Sequence, residues 1–380
     1  MTLLSIVGED ISRIIPVLYA YKNKIKQHVL LCDDDPSNHE RAKTLQRGMQ
    51  KFSAKHSLGW YTKVIITDED SAADIKEVAQ KQFSHENELW LNATDGYPAI
   101  TILLSEMVRK EGGKVLSYDH FDNDLHIIEP DGTMKCKQLK SCIDVENYLL
   151  MLNYKIKKIS KRKQLVTRKK SVIKLFKKER DFKKVRKSVV QEYLGHNTKL
   201  KKNHFPEIFS ELKKLGILKS DGTIKKSQIK TIQGDLLEEY IFWLTDEVGF
   251  DDMALGVQID FDNASKEPQP QRRVVNEFDI LMTHKNRLYT IECKFKNEMD
   301  GLGMIYKYET IINYFGRAAK AMVLNISKGD KEPYLDTKTS PNFAHSALRR
   351  ARMSGIGIYH ESSVDTIKLQ NYIRNFFRLN

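Results

Sequence analysis

The chain has only four cysteines in 380 residues, Cys32, Cys136, Cys142 and Cys293, and no CxxC pair among them. That excludes a disulfide framework or a zinc knuckle and makes a reducing cytoplasm the expected location. No run of 18 apolar residues occurs, so no segment is expected to span a membrane. The first residues, MTLLSIVGEDISRIIP, lack the basic region and long apolar stretch of a signal peptide. No GxGxxG loop occurs, so a dinucleotide cofactor is not supported. Internal repeats and low-complexity tracts are also missing, apart from a lysine bias. What the chain does have is an apolar content of 41%, with 9% aromatics, enough for real cores. Its length fits roughly two domains.

Charge is placed unevenly. The chain carries 63 Lys and Arg against 50 Asp and Glu, a formal +13. Between Lys155 and Lys202 there are 20 basic and 3 acidic residues, so this stretch carries the whole excess. Such a segment reads either as a solvated helical connector or as a surface for nucleic-acid phosphates, sequence-blind and weakened by salt. Aromatics are sparse within it (Phe176, Phe182, Tyr193), so base stacking is not indicated.

Residues 1–143 alternate strand and helix signals. Short β-rich runs at 2–8, 28–34, 62–68, 88–92 and 114–120 are separated by helical patterns at 10–24, 37–56, 70–84 and 98–110. That alternation predicts βαβ units and a parallel, Rossmann-like sheet. A hairpin around Asp131-Gly132 and a helix at 144–152 follow. Residues 204–224 read as a helix ending at Gly216 and an Asp221-Gly222 turn, a small winged-helix-like piece. From Ile229 a long amphipathic helix, three or four strands and further helices run to Asn380. The expected boundaries are 1–150, a basic connector 151–228, and 229–380.

The sharpest chemical signal lies in the last part. Residues 271–284 and 287–296 read as two strands joined by a tight loop at His284–Asn286. Side chains alternate across a strand, so Glu277 shares a face with Asp279, and Glu292 shares one with Lys294. Neighbouring strands lie about 4.8 Å apart, which brings Asp279, Glu292 and Lys294 toward one point. Two carboxylates there repel unless a divalent cation offsets the charge. Upstream, the helix at 234–248 places Glu238 and Glu239 on either flank of its apolar face, and geometry alone does not choose between them.

The arrangement Asp279…Glu292-Cys293-Lys294 resembles the PD-(D/E)xK nuclease superfamily, with Phe278 in place of the usual proline. The superfamily's G-x-x-x-E helix form, here Gly234 to Glu238, favours Glu238. The resemblance implies metal-assisted phosphodiester hydrolysis. Asp279 and Glu292 would hold Mg²⁺ or Mn²⁺, Glu238 or Glu277 would complete the shell, and Lys294 would support the transition state. Tyr306, Lys307 and Tyr308 open the next helix and read mainly as packing residues. The fold class is then α/β: a Rossmann-like domain, a basic helical or winged-helix-like connector, and a restriction-endonuclease-like domain.

The fourth strand of the first domain runs into Asn92-Ala93-Thr94-Asp95-Gly96-Tyr97-Pro98, and the first into Gly8-Glu9-Asp10-Ile11-Ser12. Ligands of open α/β sheets bind at such carboxyl ends. With the basic connector and the D…ExK domain, this turn resembles that of CRISPR-associated CARF-domain nucleases of the Card/Can type. The resemblance implies that Gly8, Ser12, Asn92, Thr94, Asp95, Gly96 and Tyr97 line a cyclic oligoadenylate site. It implies a homodimer whose two such domains grip the ring, with cyclic tetra-adenylate the first choice. Binding would switch on non-specific cleavage of single-stranded DNA or RNA and nicking of duplex DNA in type III antiviral defence. The chain departs from the family's Gly-Gly-Thr-Lys turn, losing a lysine and gaining the Asp95 carboxylate. The alternative reading is a ligand-sensing CARF transcription regulator that binds DNA through the basic and winged-helix-like segments.

Overall fold

The structure, a computed structural model, describes residues 1–68, 70–83, 88–193, 200, 202–224, 226–260, 275–295, 301–326 and 345–379. The five early runs form strands β1 (Thr2–Ile6), β2 (Gln27–Cys32), β3 (Tyr61–Ile66), β4 (Leu89–Asn92) and β5 (Lys114–Asp119). β1 and β4 are buried along their whole length, because the sheet is covered on both faces. That is why they read as continuous apolar runs rather than alternating ones. Between the strands lie α1 (Ile15–Ala20), α2 (Pro36–Lys55), α3 (Ala72–Phe83) and α4 (Pro98–Lys110). The helix expected from residue 10 begins instead at Ile15, after a 3₁₀ turn over Ile11–Arg13, with Pro16 in its first turn. Pro98 opens α4 in the same way, and Gly112, at φ +77°, ends it.

The first sheet has the order β3-β2-β1-β4-β5, with each of these pairs parallel. The antiparallel hairpin β6 (Asp124–Ile128) and β7 (Met134–Gln138) extends it, turning through Asp131-Gly132 as expected. Strand order reverses at β1 and β4, so their loops open side by side at the carboxyl edge. Helix α5 (Val145–Met151) leaves this unit.

The second sheet contains β8 (Lys155–Lys161), β9 (Asp252–Asp260), β10 (Val275–His284), β11 (Arg287–Lys294), β12 (Lys320–Ile326) and β13 (Gly357–Glu361), in reverse spatial order. Its helices are α6 (Arg162–Lys177), α7 (Glu179–Tyr193), α8 (Pro206–Lys214), α9 (Leu236–Asp246), α10 (Gly301–Phe315), α11 (His345–Met353) and α12 (Thr366–Phe377). The expected strand ends at 271–274 and at Lys296 lie outside the described residues.

The expected connector is woven into this second unit. β8 pairs antiparallel with β9 at the sheet edge. Leu165, Val172, Phe176 and Phe182 from α6 and α7 share a core with Leu236, Tyr240 and Trp243 of α9. The small helix and turn at 206–224 close with a single bridge, Leu218 to Ile224. Another core runs between the two sheets: Tyr118, Leu125 and Tyr148 pack in one cluster with Phe278, Leu288, Tyr308 and Phe315. Among the described residues, no helix is long and apolar enough to cross a membrane.

Candidate functional site

The β10–β11 hairpin turns through Lys285 and Asn286, at φ 48° and 57°, the left-handed pair of a two-residue turn. Its ladder runs from His284–Arg287 to Ile280–Ile291. Beyond that pair the Cys293 N–H donates to the Asp279 carboxylate at 2.7 Å. A side chain replaces a strand carbonyl there, and the two strands part around the acidic residues. β11 continues parallel to β12, which backs Glu292 with Val323 and Lys294 with Asn325.

The expected residues converge. Lys294 Nζ donates to Glu292 Oε1, and the Tyr308 hydroxyl of α10 donates to Glu292 Oε2. Asp279, Glu292 and Tyr308 are all buried. Burial first, then the charge of Glu292, pushes Asp279 up to about 7. Burial, then Asp279 and Asp235, pushes Glu238 up to about 8. Burial alone would lower Lys294, but Glu292 and Asp279 outweigh it and hold the ammonium above its ordinary value. Glu277 stands exposed on the same strand face, and its charge raises both Asp279 and Glu238.

Glu239 has a different employment. It is buried against Arg168 of α6, whose Nε lies 3.1 and 3.0 Å from its two oxygens. Glu238 faces the acidic cluster and Glu239 faces the basic helix. Tyr308, read from sequence as a packing residue, lies in direct contact with Glu292. Its helix begins at Gly301 rather than at Tyr306, which turns Tyr308 inward and leaves Tyr306 exposed. An amphipathic stretch of this kind carries no sequence sign of a hydroxyl aimed at a carboxylate on another element.

No three His, Cys, Asp or Glu side chains among the described residues are drawn close enough to hold a metal ion as they stand. Lys294 and Tyr308 occupy both oxygens of Glu292, and Asp279 is tied to a backbone N–H. The donor chemistry nevertheless suits a hard divalent cation: carboxylates only, two of them held with raised proton affinity by burial first and neighbouring carboxylates second.

At the carboxyl edge of the first sheet, the β1 and β4 loops are clamped by Asp95. Its Oδ2 accepts from the N–H of Gly8 at 2.9 Å and of Asp10 at 3.3 Å. A Cβ on Gly8 would sit 2.8 Å from Gly96 N, and Gly96 itself has φ +103°, so both turns need glycine. Burial raises Asp95 above its ordinary carboxylate value. Gly8, Asp95, Gly96 and Tyr97 line a small cavity of about 190 Å³ together with Arg13 and Arg317. Asn92, Thr94 and Ser12 do not line it. Asn92 Oδ1 accepts from Thr94 Oγ1 at 2.6 Å, and Ser12 Oγ donates to Asp10 at 2.5 Å, so all three build the loops from inside. The junction of β2 and α2 joins them through Asn38, whose Nδ2 donates to the Tyr97 hydroxyl at 3.1 Å and to Asp33 at 2.8 Å.

Residues 225–332 match the family model of the Card1-like endonuclease domain. Over that stretch the chain is similar to a Card1-like endonuclease domain. The resemblance to Card/Can-type CRISPR nucleases is thereby borne out, and Glu238, Glu277, Asp279, Glu292 and Lys294 all fall inside the matched stretch. The fold around the Card1-like domain is shared more widely. The crystal structure of protein VC1899 from Vibrio cholerae aligns with a TM-score of 0.72 at 16% identity, over 100% of this chain and 98% of that one. Can2 from Sulfobacillus thermosulfidooxidans, in complex with cyclic tetra-adenylate, aligns with a TM-score of 0.66 at 15% identity, over 100% and 99%. No curated protein matches the chain by sequence.

Proposed function

We propose that the chain is a metal-dependent nuclease gated by cyclic oligoadenylate, cyclic tetra-adenylate first among the rings, acting in type III CRISPR antiviral defence. The observation that carries this reading is the convergence of Asp279, Glu292 and Lys294 beside Glu238 within a Card1-like domain. The first domain, whose clamped loops open at the strand ends, supports the ligand half of the reading. So does the likeness of the whole fold to Can2, which was solved with cyclic tetra-adenylate bound.

Asp279, Glu292 and Glu238 would hold Mn²⁺ or Mg²⁺, with Glu277 at the exposed rim. The ion's contribution when bound is to lower the pKa of a water and polarise the scissile phosphate. Lys294 orients the attacking water and supplies positive charge where the phosphorane develops it. Tyr308 fixes the Glu292 carboxylate against rotation. A lone water attack needs no 2′-hydroxyl, so DNA and RNA, single-stranded or nicked duplex, are all chemically admissible substrates. The active form would be a homodimer in which two first domains share one ring.

The regulator reading has less support. Part of the basic stretch is engaged in ion pairs within the chain: Arg162 and Lys169 pair with Asp246, Arg168 with the buried Glu239, and Lys174 with Glu211.

The test is a nuclease assay with Mn²⁺, offering single-stranded DNA, single-stranded RNA and supercoiled plasmid, with and without cyclic tri-, tetra- or hexa-adenylate. Cleavage is expected only with one ring, and is expected to vanish in Glu292→Ala and Lys294→Ala with the fold intact by circular dichroism. A fully active Lys294→Ala protein would sink the active-site assignment. Ring-independent cleavage would leave the nuclease and remove the messenger.

A further inference from the structure

Beside the small cavity at the β1 and β4 loops lies a larger one of about 530 Å³, and the two share Asp10, Arg13 and Arg317. The larger cavity reaches past β5 to His120, Phe121 and His126, and its far wall is Arg317 and Ala318 of the endonuclease unit. Two features mark it as a ligand site rather than a seam. First, His120 is only 6% exposed, lines the cavity, and has no hydrogen-bond partner on either ring nitrogen among the described residues. A buried imidazole left unpaired on both sides carries a desolvation cost that a bound polar edge would relieve. Second, Phe121 on the same rim is 70% exposed, a flat apolar face with nothing laid on it.

The charge at the site is mixed: Arg13 and Arg317 stand among Glu9, Asp10, Asp95 and Asp119, so these two guanidinium groups are what an anion would find. This chain has no lysine in the turn after β4, and a carboxylate, Asp95, stands there instead. Arg13 approaches that carboxylate only to 3.9 Å, with 43% of its side chain exposed. Arg317 pairs with Glu9 and is 72% exposed. Asp95 is buried but holds Arg13 only at the limit of ion-pair range, and Glu9 is half-exposed, so both guanidinium groups keep N–H donors facing the two joined cavities.

We infer that the cyclic oligoadenylate site extends across the domain seam, with Arg13 and Arg317 taking the ring's phosphates and the His120–Phe121 cavity taking one adenine. This rests on the messenger reading above and deepens it, because it makes a residue of the endonuclease unit a direct ligand contact. Guanidinium forks suit phosphate oxygens, Phe121 offers a stacking face, and one nitrogen of the His120 ring, once the side chain turns toward the cavity, offers a single hydrogen bond to the edge of the base. The same place is mechanically tied. The Arg317 N–H donates to Asp10 Oδ2 at 2.8 Å, and Asp10 in turn holds Ser12. Gly316, at φ +100°, lies so close to Ser12 that a Cβ there would fall on its hydroxyl. A phosphate drawn to Arg317 therefore pulls on the end of α10, the helix that carries Tyr308 to Glu292.

The experiment is binding of cyclic tetra-adenylate, with cyclic tri- and hexa-adenylate alongside, to the full-length protein by calorimetry. The arms are wild type, Arg317→Ala, Arg317→Lys, Arg13→Ala, Phe121→Ala and Glu9→Gln. These side chains are exposed or half-exposed, so the fold should tolerate each change. Arg317→Ala and Arg13→Ala should each weaken binding roughly tenfold or more, with Arg317→Lys recovering part of the loss. Phe121→Ala should cost about tenfold. Glu9→Gln frees Arg317 and removes a negative charge, so it should bind at least as tightly as wild type. Wild-type affinity in Arg317→Ala would overturn the inference while leaving the messenger reading standing. So would a Glu9→Gln loss equal to that of Arg317→Ala, since the ion pair rather than the ligand contact would then matter. A wild-type protein that binds none of the three rings would overturn the messenger reading and this inference with it.

Discussion

At the scale of single residues, the candidate site depends on how two carboxylates and one ammonium are kept together. Tyr308 is the least obvious part of it. Its ring is buried in the core between the sheets and its hydroxyl reaches Glu292. Removing only that hydroxyl, in Tyr308→Phe, should leave the melting temperature nearly unchanged. Single-turnover cleavage should fall about tenfold to hundredfold, as when the supporting partner of a metal-ligating side chain is lost. A Mn²⁺ titration of the rate should show weaker apparent metal affinity, which a purely structural role would not produce. The acids themselves make a pH prediction. Asp279 and Glu238 are pushed up to about 7 and about 8, far above unfolded carboxyls. A carboxyl that binds its proton more tightly when folded stabilises the fold fully below its unfolded value. That contribution is lost as pH rises through the folded value. Without divalent cation, the melting temperature should therefore fall from about pH 4, the unfolded carboxyl range, to about pH 8 and level off above it. Mn²⁺, which favours the ionised forms, should raise the melting temperature more at the upper end of that window than at the lower. A metal-free melting curve that rises steadily across it would contradict the arrangement of charges described here.

At the scale of elements, the basic stretch shows how composition can mislead. The run KIKKISK at 155–161 is dominated by lysine, its two isoleucines, Ile156 and Ile159, stand three apart rather than two, and its pairing with β9 is irregular between Ile156 and Ser160. An edge strand needs one apolar face and tolerates lysine on the other, so its pattern is weak where a connector was expected. The central strands were legible for the opposite reason: both faces are covered, and their apolar runs stand out to within two residues of the observed ends. α6 then does for α9 what sequence could not foretell. Arg168 neutralises Glu239, and Lys169 lies 4.9 Å from the centre of the Trp243 ring. If that is the chief use of Arg168, then Arg168→Ala strands a buried carboxylate and should destabilise the protein by about 3 kcal/mol. The double variant Arg168→Ala with Glu239→Gln should recover much of the loss, read by urea titration. A helix whose arginine merely contacts nucleic acid would instead lose affinity without losing stability. The same ion pair explains why sequence left Glu238 and Glu239 open: which carboxylate turns to the acidic cluster depends on an arginine seventy-one positions away.

At the scale of the whole molecule, the decisive feature is how the two units meet. The endonuclease motif was legible because its residues lie close together in sequence, and the carboxyl-edge loops because strand order exposes them. The seam was not legible, since it joins residues more than a hundred positions apart. The Tyr118 hydroxyl donates to the Lys285 carbonyl at 3.2 Å, and Asn286 Nδ2 to Asn123 at 3.0 Å. Ile143 N–H donates to Asn286 at 3.1 Å, and Val145 N–H to Asp252 at 2.9 Å. The first three of these bonds pin the β10–β11 turn, and the last the start of β9, so the strands that carry Asp279 and Glu292 are held to the first domain. Around them a single apolar cluster runs from Leu3 and Tyr148 to Phe278 and Ile356. Domains joined by a thin, polar contact unfold separately, whereas a shared apolar core makes loss of one expose the other. Calorimetry of the full chain should therefore show one cooperative transition. Asn286→Ala, which removes two seam hydrogen bonds and leaves their partners unpaired, should lower that single transition without splitting it. Two well-separated transitions in the intact protein would mean that the seam is too weak to carry a ligand's effect from the β1 and β4 loops to the endonuclease.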